Sequence, residues 1–110
     1  MAKGEKDGWR GEEQKESQKD KRAEELVGVI QKIAINKELL REFLIDLLSP
    51  AEYRELGVRW QIVQQLNRGV SQRDVSENLR VGIATVTRGS RELANPKGGF
   101  RRVLKILEKK

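Results

Sequence analysis

Twenty residues, Ser71-Gln72-Arg73-Asp74-Val75-Ser76-Glu77-Asn78-Leu79-Arg80-Val81-Gly82-Ile83-Ala84-Thr85-Val86-Thr87-Arg88-Gly89-Ser90, constrain this chain more than any other stretch. Val75 and Leu79 lie four apart, the spacing of one face of a short helix. Ser71 precedes them as a cap for the free N–H groups. Asp74, three residues on, suits the positive end of the helix dipole. Val81 then supplies an apolar plug at a corner. A second short helix opens after Gly82, with Ile83 and Val86 three apart. Two short helices joined by a tight corner read as a helix-turn-helix over residues 71–93. In such a motif one helix braces and the next enters the DNA major groove. The short side chains of Ala84, Thr85 and Thr87 let the second helix bring its backbone close to base edges.

Charge is distributed to match. Residues 1–25 hold 7 basic and 8 acidic groups, and residues 26–66 hold 5 of each. Residues 67–110 hold 11 basic and 4 acidic groups, a net of +7 against +6 for the whole chain, so all of the excess positive charge lies there. An excess of positive charge placed with a DNA-reading motif is the footprint of a protein that displaces counterions from phosphates. The chain has no Cys and no His, which excludes a disulfide framework and the commonest metal ligands and general base. No carboxylates are paired in an apolar setting, and no phosphate loop or metal spacing occurs. An enzyme, a metal and a catalytic cofactor are therefore not expected. No apolar run is long enough to span a membrane and no signal-peptide core is seen, so a cytoplasmic protein is expected.

The rest of the chain reads as helices. Residues 1–22 are mixed in charge, with Gly4, Gly8, Gly11 and a single large apolar residue, Trp9. They are expected to form a flexible charged arm, and residues 23–110 a helical dimerisation and DNA-binding domain. Leu26, Val29, Ile30 and Ile33 have helical spacing. Asn36 ends that run. Lys37 opens a second helix with Leu40, Phe43, Leu44, Leu47 and Leu48, a stripe too wide for one small subunit to cover. Ser49-Pro50-Ala51-Glu52 is a strong helix start. That third helix runs through Trp60, Val63 and Leu66 to Gly69, a left-handed stop. Gly57 inside it is either a weak point costing about 1 kcal/mol relative to Ala or a place where another backbone comes close. Breakers over 93–99 precede a last helix. There Phe100, Val103, Leu104 and Leu107 share one face, and Arg101, Arg102, Lys105 and Lys109 lie largely on the other.

At these residues the chain resembles the Trp repressor family, itself a type example of the helix-turn-helix. Gly82-Ile83-Ala84-Thr85-Val86-Thr87-Arg88-Gly89-Ser90 is close to the family signature, and Ser71-Gln72-Arg73 fits its preceding helix. The likeness continues upstream through Leu47-Leu48-Ser49-Pro50-Ala51-Glu52, Leu56-Gly57-Val58-Arg59 and Ile62-Val63-Gln64-Gln65-Leu66-Asn67-Arg68-Gly69. The resemblance implies an all-α, intertwined homodimer of about six helices per subunit. It implies a sequence-specific transcriptional repressor of double-stranded operator DNA, activated by L-tryptophan as corepressor.

The resemblance also implies a ligand site. Arg59 and Arg88 would sandwich the indole ring, a sensible use of guanidinium planes that can also pair with a carboxylate. Gly89 would leave room for the ring. Carbonyls near Asp46 and Leu48 would accept the ligand ammonium with help from the Ser49 hydroxyl, and in the family they come from the partner subunit. Arg88 could instead contact a phosphate, and Arg59 could pair with Glu55 at i, i+4. For DNA, Gln72 is expected on a phosphate and Arg73 on a guanine edge. Ile83, Ala84, Thr85 and Thr87 are expected to line the groove. Several positions depart from the family. Asp46 replaces a usual Leu, Ser49 a usual Thr, Ser76 a frequent Lys and Arg80 a frequent Gly, and the link Gly69-Val70-Ser71 is one residue short. Arg80 beside Ser76 could replace the lost cation, although a left-handed backbone there disfavours a non-glycine residue. Two other readings stay open: a superfamily DNA binder with a different ligand or none, and a detached DNA-binding subunit of a mobile-element recombinase or transposase.

Overall fold

The computed structural model describes residues 20–109. Among them are six helices and no strand: α1 (Lys21–Ile33), α2 (Lys37–Leu47), α3 (Pro50–Asn67), α4 (Gln72–Leu79), α5 (Ile83–Leu93) and α6 (Gly99–Glu108). The expected all-α class and number of helices are thus found. Most of the expected arm, Trp9 included, lies outside the described residues; its last residues form the start of α1. None of the six helices is long and apolar enough to cross a membrane. The chain divides between Ser49 and Pro50 into two compact units.

The first unit is the pair α1 and α2, packed on each other. Asp20 caps α1, accepting from the N–H groups of Arg22 at 3.0 Å and Ala23 at 3.4 Å. Asn36 caps α2 by accepting from the Leu39 N–H at 3.0 Å. The residue read as the end of one helix therefore begins the next, because its short polar side chain satisfies an N–H that a helix start leaves open. Leu26, Val29, Ile30, Ile33, Leu40, Phe43 and Leu44 are half-buried, and neither helix holds a fully buried residue. Leu39, Ile45 and Leu47 remain 45%, 50% and 49% exposed. Of the expected stripe on α2, Leu47 is exposed and Leu40, Phe43, Leu44 and Leu48 are half-buried, while Leu39 and Ile45 add exposed apolar surface beside it.

In the second unit α3 is the axis. Ile62 and Val63 on it are adjacent and both fully buried. Neighbours on a helix point about 100° apart, so they serve two clusters. Ile62 packs with Val75 of α4 and Val86 of α5, with Val58, Leu66, Val70, Leu79 and Val81 around them. Val63 packs with Leu93 of α5 and Leu104 of α6, with Trp60, Leu66 and Phe100 around them. Leu66 belongs to both. Each fully buried aliphatic side chain contributes roughly 1.5–3 kcal/mol of transfer free energy. Trp60 and Phe100 stand with ring centroids 6.4 Å apart at a 45° tilt. α3 ends as expected at Gly69, whose φ is 93°. The N–H of Val70 reaches back to the Gln65 carbonyl at 3.1 Å, a bond that turns the chain sharply and delivers Val70 to the Ile62 cluster.

Two sequence expectations for this unit need correction. On α6, Val103 and Leu107 are exposed, as is Ile106, while Leu104 is buried and Phe100 half-buried. The apolar face of α6 is therefore only partly used within the unit. Arg101, read as lying largely on the face opposite the apolar residues, is instead half-buried. Its guanidinium donates to Asn67 Oδ1 and to the Leu93 carbonyl, both at 3.2 Å. It ties α6 to the ends of α3 and α5, satisfying a carbonyl that the end of α5 leaves open.

Candidate nucleic-acid interface

α4 and α5 span the predicted helix-turn-helix. Ser71 caps α4 by accepting from the Asp74 N–H at 3.1 Å. Val75 on its inner face is fully buried, and Leu79 and Val81 are half-buried against the same cluster. The corner is held by backbone geometry. Arg80 adopts a left-handed conformation, φ 58° and ψ 49°, as its turn position led one to expect. The N–H groups of Arg80 and Val81 both donate to the Ser76 carbonyl. The Ser76 hydroxyl donates to the Val81 carbonyl at 2.6 Å. Ser76, a DNA candidate from the sequence, thus has its hydroxyl proton engaged in closing the turn.

α5 follows with Gly82 as its N-cap. Its apolar pair separates: Val86 is fully buried, whereas Ile83 is 50% exposed. Ala84 is exposed beside Ile83, and Thr85 and Thr87 are half-buried. The start of the second helix thus offers a small apolar and hydroxyl-bearing surface to solvent. That is the kind of surface that meets a thymine methyl or a base edge. Two polar links that no local pattern announced fix the bracing helix. The Thr87 hydroxyl donates to Gln72 Oε1 at 2.9 Å, joining α5 to the start of α4. Asn78 donates to Gln65 Oε1 at 3.0 Å, joining α4 to α3. Gln72 and Thr87, both expected at DNA, are therefore first partners of each other. Arg73 is exposed on the first turn of α4.

The candidate ligand residues divide between the two units. Arg59 on α3 lies one turn before Ile62. Arg88 on α5 adjoins Gly89. A Cβ on Gly89 would stand 3.0 Å from Ile62 Cγ2, so these two helices cross closely at that glycine. Both arginines are then within a turn of one crossing, although 29 positions separate them in the chain. The space at Gly89, expected to admit a ring, is taken on its inner side by Ile62. Arg59 pairs with Glu55 at 3.0 Å, its side chain 28% exposed, so the i, i+4 pairing considered for it is formed. Arg88 is half-buried. Asp46 and Leu48 belong to the first unit, at the end of α2, and Ser49 follows. A helix end carries carbonyls without intrahelical partners and favours a cation, which is the chemistry an ammonium needs. Gly57 has nothing within 4 Å of where a Cβ would stand, so no other backbone approaches it among the described residues.

Among the described residues no three His, Cys, Asp or Glu side chains gather as a metal site. Asp20 has its carboxyl held below the ordinary carboxylate range by the hydrogen bond from the Arg22 side chain, aided by the two capping N–H groups. It caps α1, far in sequence from the helix-turn-helix.

The sequence profile of the family described as Trp repressor protein matches residues 21–108. Similar proteins include three named Trp operon repressor homolog. That of Haemophilus influenzae (strain ATCC 51907 / DSM 11121 / KW20 / Rd) is 43% identical over 60 residues, 54% of this chain and 59% of the relative. That of Vibrio cholerae serotype O1 is 46% identical over 63 residues, 56% and 61% of the two chains. That of Actinobacillus succinogenes is 48% identical over 54 residues, 48% and 54% of the two chains. The chain thus spans under two thirds of the length of these relatives. The profile runs from the first residue of α1 to the last of α6, and it takes in a helix-turn-helix braced on α3. On these grounds the chain belongs to the Trp repressor family, whose members are transcription regulators and not enzymes.

Proposed function

We propose that the chain is a sequence-specific DNA-binding repressor that acts in the cytoplasm as a homodimer, with L-tryptophan as its corepressor. The observation that carries the reading is the start of α5: exposed Ile83 and Ala84 on a helix whose other face is locked to α3 and α4 through Val86 and Gly89. Rigid support behind a small exposed surface is what base reading requires, because misplacement costs the hydrogen bonds that discriminate bases. Arg73 would read a guanine edge, and Thr85 and Thr87 would line the groove. Gln72 would touch a phosphate once its bond to Thr87 opens or is shared. The half-covered stripes of α1 and α2 support a second copy as their cover. A dimer sets two such helices roughly 34 Å apart, the spacing of successive major grooves.

The names of the relatives support tryptophan as the ligand. The crossing of α3 and α5 supports Arg59 and Arg88 as its two faces, with Gly89 drawing them together. Asp46, Leu48 and Ser49 would meet the ammonium from the partner subunit. Tryptophan would then select the head spacing that DNA requires, and linkage makes DNA tighten tryptophan in turn. A second reading keeps DNA and drops tryptophan. The Arg59–Glu55 pair favours it, since part of one guanidinium is already engaged.

Calorimetric titration of L-tryptophan into the wild type and into Arg88→Ala separates the two. One ligand bound per subunit, with at least tenfold weaker binding in the variant, is the expected result. A folded dimer that gives no heat with millimolar tryptophan would leave the second reading standing.

A further inference from the structure

We propose that Arg80 is a phosphate-contacting residue at the helix-turn-helix corner, held there in a backbone conformation that does not suit arginine. The proposal rests on the DNA-binding reading and deepens it. Arg80 is the one non-glycine residue with a positive φ among the described residues. The left-handed region crowds a Cβ against the following carbonyl, and glycine escapes that penalty. The chain has a glycine at the other such bend, Gly69. An arginine kept at the less favourable position points to a use for its side chain.

The fold itself makes no such use of it. The Arg80 side chain is exposed and forms no hydrogen bond or ion pair with the described residues, Glu77 one turn back included. The corner is closed without it, through the Ser76 carbonyl and hydroxyl and through Val81 packed on the Ile62 cluster. Those same contacts fix where the Arg80 backbone stands, three residues before Ile83 at the start of α5. Three residues span at most about 11 Å, and the major groove is about 12 Å wide. A helix seated with that end in the groove therefore has a wall of phosphates within reach of a long cation at position 80. Ser76 has its hydroxyl proton committed inward, so Arg80 is the cation that this corner offers.

Arg80→Gly is the informative change, because a DNA role and a folding role move its readouts in opposite directions. The full chain, as wild type, Arg80→Gly and Arg80→Lys, is titrated with a labelled duplex of mixed sequence in the presence of L-tryptophan. Phosphate contacts carry no sequence information, so an operator is not needed. Salt is varied between about 50 and about 200 mM, and thermal midpoints are recorded alongside. Arg80→Gly is expected to weaken binding several-fold at the low end and to reduce the slope of log affinity against log salt by about 0.9 for each subunit in contact. Its thermal midpoint is expected to equal or exceed that of the wild type. Arg80→Lys is expected to keep the wild-type slope. An unchanged slope in Arg80→Gly overturns the proposal, and so does a loss of binding that follows a lowered midpoint. A wild type without salt-dependent binding removes the DNA-binding reading together with this one, whereas normal wild-type binding with an unaltered variant removes only the role of Arg80.

Discussion

Residues 20–49 and residues 50–109 are both helical, yet only the second unit encloses side chains of its own. In the first, α1 and α2 leave Leu39, Ile45 and Leu47 about half in solvent and bury nothing fully. In the second, Ile62, Val63, Val75 and Val86 lose all contact with solvent. The apolar periodicity of the two stretches is much alike in the sequence. The difference lies in what each stripe has to meet. α3 is crossed by α4 and α5 and touched by α6, so its stripe is covered from more than one side. The α1 and α2 helices pack on each other, and their apolar residues stay half-buried or exposed among the described residues. Periodicity reports that a face needs covering and is silent on whether the cover comes from the same chain.

The largest test of that contrast is Ile62→Ala. It removes a side chain that holds α3, α4 and α5 together, and should cost about 2–5 kcal/mol in urea unfolding. Val27→Ala on the exposed side of α1 should stay within about 0.5 kcal/mol. Equal costs for the two would break the distinction between a closed and an open core. Next comes Ile45→Glu, which sharpens the contrast instead. A charge there should leave the helix content of the chain intact. It should weaken self-association at least tenfold, which corresponds to about 1.4 kcal/mol. Sedimentation over a concentration series reads this directly, and an unchanged equilibrium would mean that no second copy covers that face. The smallest effect concerns Asp20. Its carboxyl is depressed in the folded chain, so its contribution as a cap is present above the ordinary carboxylate range and is lost as pH falls through the lowered folded value. The amide signals of Arg22 and Ala23 should therefore shift in acid at a lower pH than an unpaired aspartate would dictate. A shift at the ordinary pH would remove the Arg22 contact as its cause.

Much of the local structure was legible in the residues. Ser71 and Gly69 act at helix ends through neighbours three to five positions away, and so does the bend at Arg80. Such bonds depend on few degrees of freedom and on residue type, which is why they can be read without a fold. Asn36 was read correctly as a boundary, but as an end and not as a cap, since its effect falls on the helix that follows. The DNA candidates fall together on α4, α5 and the corner between them, but their partners within the fold could not be read one by one. Ser76 turned inward to Val81, and Gln72 found Thr87, because a hydroxyl or amide takes whichever partner the packing presents first.

The sequence by itself determined the six helices, the position of the helix-turn-helix and the concentration of positive charge beside it. Those follow from spacing, capping and composition, all properties of neighbouring residues. Only the tertiary structure decided that Arg101 ties α6 to Asn67 and Leu93, that Gly89 lets α3 and α5 cross at Ile62, and that Arg59 and Arg88 flank that crossing. Those partners lie from 8 to 34 positions apart. Their meeting depends on how whole helices pack, a collective outcome of burying Ile62, Val75 and Val86 together that no single stretch of the chain encodes.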